Sequence, residues 1–159
     1  MRKNYLIILF IIIIIISVSP AYGEETEGGG KGNDLYEELA RQAESINAVE
    51  NPDAVISLLE PYKDNPENKN SPFFNTLALA YKVKKNYDES IKIYKIALEL
   101  EPSNPAINHN YGTTLYHVGK PEEALKYLLI SKELGSDNKR TDEWIEGISK
   151  QLGIPVKDW

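Results

Sequence analysis

His109 and His117 are the two histidines of the chain, and no cysteine accompanies them. They lie eight residues apart on one predicted helix, about 80° around its axis and about 12 Å along it. That separation is too large for both rings to bind one metal ion. With no cysteine there is no thiolate nucleophile, no disulfide framework and no Cys-type zinc site. Serine and aspartate gather at predicted caps and loops, and the chain contains no Gly-x-Ser-x-Gly, no His-Glu-x-x-His and no paired-carboxylate cleft. Glu89 with Lys92 and Glu122 with Lys126 read as solvated helix-surface pairs, worth about 0.2–0.5 kcal/mol each. The three glycines at 28–30 lack the preceding strand and the Lys-Ser/Thr ending of a phosphate loop. The expectation is a chain with no catalytic residues, no metal and no cofactor, whose work is recognition.

The elements that would carry such recognition centre on residues 71–102, SPFFNTLALAYKVKKNYDESIKIYKIALELEP. Ser71 is suited to cap a helix and Pro72 to its first position, where no amide hydrogen has an intrahelical partner. Phe74, Leu77, Ala78 and Tyr81 then form one apolar stripe at helical spacing. Lys84, Lys85 and Asn86 interrupt it, and Asp88 and Glu89 open a second helix with charge that the dipole favours. Ile91, Tyr94, Ala97 and Leu98 form the second stripe, and Pro102 ends it. Small residues at Ala78, Ser90 and Ala97 allow two backbones to approach. The stretch predicts two antiparallel helices with a buried seam.

This spacing resembles the tetratricopeptide repeat. Phe74, Leu77, Ala78, Tyr81, Ser90, Tyr94, Ala97 and Pro102 fill its places in register, Phe74 standing for the usual Trp and Ser90 for the usual Ala. A shift of 34 residues puts Tyr111, Gly112, Leu115, Ala124, Leu128 and Ser131 on the corresponding places, with Ser136 replacing the closing proline. Upstream, Ala54, Leu58, Pro61 and Pro66 keep the second-helix spacing. The first helix, over 35–49, aligns in two registers. The one with Leu39, Ala43 and Ile46 on the seam keeps apolar residues inward. The resemblance implies an all-α solenoid of helical hairpins wound as a right-handed superhelix, about seven helices in all. Its three repeats span 34–137, at about 34–70, 71–104 and 105–138. A last helix over 141–152, bearing Trp144, Ile145, Ile148 and Leu152, is expected to cap the open apolar face, within a cap-and-tail region of 139–159. Helix starts are expected at Asp34, with Glu37 as its capping-box partner, and at Asn51-Pro52, Asn104-Pro105 and Lys120-Pro121. Gly119 and Gly135 are natural C-terminal caps.

Residues 1–23 read as an export signal. Arg2 and Lys3 precede an apolar run of fourteen residues, and Ala21-Tyr22-Gly23 offers a cleavage site. The run is short of the roughly 20 residues of a spanning helix. Cleavage after Gly23 and an uncleaved membrane anchor over 5–22 both export the repeats, to the periplasm or the exterior. Residues 24–33, acidic and glycine-rich, read as a flexible linker. The full chain carries a formal charge of −6, and the part beyond the leader −8. Such a domain repels phosphate backbones, so nucleic acid is not the expected partner.

In the family, first helices of successive repeats line a concave groove for an extended or helical partner segment. The matching places here are Asn75, Leu79, Lys82 and Val83, then His109, Thr113, Tyr116 and His117, with Glu44 and Asn47 from the first repeat. The basic set of the family's two-carboxylate clamp is missing, since the third repeat has no basic residue on its first helix before Lys120. Tyr116 is either a groove anchor or filling between the third repeat and the cap. At pH about 5–6 the histidines are expected to charge and add to Lys82. Two functional readings follow: an exported adaptor that holds a protein or peptide during envelope or secretion-complex assembly, or a structural subunit stacked in an oligomer with an idle groove.

Overall fold

The computed structural model describes residues 31–135 and 139–155. The predicted leader and most of the predicted linker lie outside the described residues. Among the described residues there are seven α-helices, one short 3-10 turn and no strand. The helices are α1 (Lys31–Ile46), α2 (Pro52–Leu59), α3 (Ser71–Val83), α4 (Tyr87–Leu100), α5 (Pro105–His117), α6 (Pro121–Glu133) and α7 (Lys139–Leu152), with the 3-10 turn Glu60–Tyr62 after α2. Each packs on its sequence neighbour, and α1, α3 and α5 also touch in succession. The fold is an all-α stack of helical hairpins, and no described helix is long and apolar enough to cross a membrane.

The seam of the central hairpin is made by the residues its spacing marks out. Phe74, Leu77, Ala78, Tyr94 and Ala97 are buried, and Ser90 donates its hydroxyl to the Ala78 carbonyl at 2.9 Å. A buried hydroxyl without such a partner would cost stability. One hairpin later, Tyr111, Gly112, Leu115, Ala124 and Leu128 are buried, and Ser131 donates to the Pro105 carbonyl at 2.8 Å. At Gly112 the two helices pack closely. A Cβ built there would stand 3.0 Å from the Ala124 carbonyl oxygen and 3.0 Å from Leu128 Cγ.

Helix ends are set by capping, with two departures from expectation. Asn70, not Ser71, caps α3: its Oδ1 accepts from the Phe73 amide at 2.8 Å. Asn is at least as good a cap as Ser, and the swap frees the Ser71 hydroxyl to donate to Glu101. Helix α1 is described from Lys31, so Asp34 sits in its first described turn rather than at its cap, and residues 31–33 belong to the helix rather than the linker. A carboxylate in the first turn still meets the favourable end of the dipole. Asn104 caps α5 as expected, accepting from the Ala106 and Ile107 amides. The first helices end alike, on Asn47, Lys85 and Gly119 at φ of 64°, 61° and 77°. That left-handed conformation suits glycine best, so Lys85 holds it against its Cβ. Helix α1 thus ends at Ile46, and Asn47 is part of its C-terminal turn.

The first-repeat register with Leu39, Ala43 and Ile46 inward is the one adopted: Leu39 and Ala43 are buried and Ile46 packs against the core. Tyr36 and Phe73, which the repeat template does not mark, meet edge to face at 6.1 Å and join the first repeat to the second. Asn108 replaces the large residue expected 34 positions after Phe74. It is buried, and its amide donates to the Pro102 and Asn104 carbonyls, tying down the turn between repeats.

Candidate functional site

The inner face formed by α3 and α5 brings the predicted groove residues into register across two repeats. Asn75 Oδ1 accepts from the Asn110 amide at 3.3 Å, and Lys82 Nζ donates to Thr113 Oγ1 at 2.5 Å. Thr113 in turn donates to the His109 or Asn110 carbonyl, so its oxygen is committed as the acceptor for Lys82. Leu79 packs against the core, and Val83 is half-buried at the end of α3. Asn75, Asn110 and Lys82 therefore share one surface, while Thr113 is buried and reaches it only through its bond to Lys82. Asn110, a further polar residue of that surface, is missing from the sequence reading because the repeat template assigns it no groove place.

The other three residues lie towards α7. His109 Nδ1 is 2.9 Å from Thr141 Oγ1. Tyr116 donates its hydroxyl to Gln151 Oε1 at 2.9 Å and meets the Trp144 ring edge to face at 5.2 Å. The exposed ring of His117 stacks on Tyr87 at 5.3 Å, with Trp144 at 6.0 Å. Trp144, expected to be structural, also lines an open cleft of about 410 Å³ with Tyr116, Arg140, Glu143, Gly147 and Ile148. The inner face thus continues onto the capping helix. Contacts between α5 and α7 depend on which loop brings them together, and no local spacing in the sequence encodes them.

Tyr116 is half-buried, on the joint between the third repeat and the cap while also bordering the cleft. Tyr116→Ala is therefore expected to cost about 1–2 kcal/mol, between the surface limit and that of a core aromatic. Denaturant titration checks this; an unchanged midpoint would mean that the joint does not depend on the ring.

The electrostatics of this face are set by burial without countercharge. Burial lowers Lys82 to about 8. Both histidines also lie below their ordinary value, first through burial and then through the Lys82 cation, with Arg140 adding to the effect on His109. Protonating either ring therefore takes more acid than protonating a free imidazole. A lysine depressed in the fold binds its proton less tightly there than in the unfolded chain. The fold therefore gains stability as pH rises from about 8 towards 10.5 and carries the full penalty below about 8. Lys82→Met should stabilise the chain by about 1 kcal/mol at neutral pH, allowing for the water that still reaches the ammonium. The gain should shrink across that alkaline window in paired denaturation curves. A variant less stable than the parent at neutral pH would show the Thr113 bond to outweigh desolvation.

The second hairpin carries a polar cluster of a different kind. Tyr81 donates to Glu60 at 2.6 Å, and Lys63 bridges Glu60 at 2.5 Å and Glu89 at 3.1 Å. Burial and the hydrogen bond to Glu60 push Tyr81 up to about 12. Glu89 also pairs with Lys92 at 3.0 Å, so this pair belongs to a network and is not isolated on the surface. The expected Glu122–Lys126 pair does not form; Lys126 lies over the Tyr127 ring. Among the described residues no three His, Cys, Asp or Glu side chains cluster as metal ligands would.

Stacked hairpins with a polar inner face define the class: an all-α helical-repeat protein. Two tetratricopeptide-repeat family profiles match, over residues 71–104 and 93–126. The chain has the tetratricopeptide-repeat fold, and its residues 71–126 match the family's models. It is 33% identical over 103 residues to Tetratricopeptide repeat protein 8 of Caenorhabditis elegans, which is 64% of this chain and 20% of that one, so it spans about a fifth of that relative's length. Among solved structures, the first tetratricopeptide domain of Spaghetti (RPAP3) bound to the HSP90 peptide SRMEEVD is similar at TM-score 0.67 and 20% identity, over 74% of this chain and 93% of that one. The Yersinia enterocolitica type III secretion chaperone SycD, in complex with a peptide of the translocator YopD, is similar at TM-score 0.64 and 18% identity, over 76% and 96%. These likenesses are of fold.

Proposed function

We propose that this chain is an exported adaptor that holds an extended or helical segment of a protein partner on the inner face of α3 and α5, during assembly of an envelope or secretion complex. The observation that carries the reading is the shared polar surface of Asn75, Asn110 and Lys82, contributed by two repeats, backed by the buried Thr113 hydroxyl and continued by Tyr116 and Trp144. A structural subunit with an idle groove would gain nothing from a half-buried lysine there. Spaghetti and SycD, of the same fold, are each seen with a peptide, which supports a peptide or protein segment as the occupant. The basic residues, apolar run and small-residue site of residues 1–23 support export.

Site-specific photo-cross-linking in native cells tests the groove. A photoreactive residue at Asn75 should capture a partner that one at Glu99, exposed on α4, does not capture. Equal labelling from both positions, or a protein that is oligomeric when purified alone, would favour the stacked subunit. Mass measurement of the native chain should find Glu24 at its start; a start at Met1 would mean an anchored form.

A further inference from the structure

Two lysines of the described residues are half-buried, Lys63 and Lys82, and their surroundings differ. Lys63 lies between two carboxylates, Glu60 and Glu89, which more than offset its desolvation, and its affinity for a proton rises. Lys82 makes one hydrogen bond, to a neutral hydroxyl, and pairs with no acidic side chain among the described residues. An ammonium has three donor hydrogens and Thr113 takes one. The neighbours facing this point are His109 and His117 of α5, with Arg140 of α7 further along and the Tyr87 ring behind His117. None is acidic. A chain with 24 acidic residues against 18 basic ones thus keeps carboxylates away from one half-buried cation on its inner face. A buried charge is normally paired, and an unpaired one costs stability.

We propose that Lys82 receives a single carboxylate side chain, Asp or Glu, of the partner segment, with Thr113 holding the ammonium in place and neutral His109 and His117 beside it as further donors. This rests on the groove reading above and names the chemistry of the partner. The bound carboxylate supplies the countercharge that Glu60 and Glu89 give Lys63. Its position at the C-terminal end of α3 needs none of the basic residues of a two-carboxylate clamp. Because burial lowers Lys82 to about 8, the free site loses its charge, and its preference for acid, as pH rises past that value.

The probe is an array of short, end-blocked peptides in which every Asp- or Glu-containing member has an Asn or Gln copy, tested with the full chain on either side of pH about 8. The parent should prefer acidic members about tenfold below that pH and lose the preference above it. Lys82→Gln should bind both copies alike, while Tyr116→Ala weakens both and keeps the preference. Peptides bound without regard to the carboxylate, or a preference that survives Lys82→Gln, would overturn this inference and leave the groove reading standing. Absence of binding to any peptide would overturn both.

Discussion

Gly112→Leu should cost the fold about 3 kcal/mol and lower its melting temperature by about 10 °C. The cause is the approach of α5 to α6. The atoms nearest an added Cβ include the Ala124 carbonyl oxygen at 3.0 Å and the Leu128 amide nitrogen at 3.3 Å, both backbone. A flexible side chain can turn aside, but a helix backbone in a packed hairpin cannot, so the two helices must separate. Separation would also loosen the buried contacts of Leu115, Ala124 and Leu128. Gly147, on α7, provides the control, because nothing lies within 4 Å of its added Cβ. Gly147→Ala should therefore stabilise the chain, by up to about 1 kcal/mol, through helix propensity alone. Thermal melts of the two variants should move in opposite directions. If Gly112→Leu melts with the parent, the close approach in the third hairpin is not there.

The same geometry explains why the hairpins were legible in the sequence. A seam between two adjacent helices repeats at fixed spacing, so Ala78, Ser90 and Ala97, and then Gly112, Ala124 and Ser131, announce it by size alone. Contacts between hairpins follow no such period. Tyr36 against Phe73 joins residues on the first helices of two successive hairpins, and the template passes over both. Capping was ambiguous for a different reason: Asn70 and Ser71 are adjacent and both can cap, and only the hydrogen bond to the Phe73 amide decides. The inner-face positions were legible as places and not as chemistry. Among the lysines whose side chains the structure describes, Lys82 is distinguished from the others, exposed or well paired, only by its burial and by the lack of a carboxylate beside it. Both properties belong to the packed molecule.

Removal of residues 141–159 should lower the melting temperature by about 10 °C or more and make the remaining protein bind apolar dyes. Helix α7 buries Ile145 and Ile148 almost completely, and Trp144, Leu152 and Ile154 pack against the same core. Two fully buried isoleucines alone represent about 3–6 kcal/mol of burial, reduced by the entropy of ordering the helix. The polar ties would go as well: His109 to Thr141, Tyr116 to Gln151, and the Lys132–Asp142 ion pair at 3.0 Å. In a stack where each unit rests on its neighbour, the last apolar face has no later hairpin to cover it, so loss of the cap leaves that face to water. Truncation can fail for trivial reasons, so a point variant carries the same test. Ile148→Ala should cost about 2–4 kcal/mol if the helix is integral to the core, while Ser57→Ala, exposed on α2, should change little. If Ile148→Ala melts like Ser57→Ala, α7 is an appendage and not the closing element of the stack, and the cleft between Tyr116 and Trp144 could then not form a fixed end to the binding face.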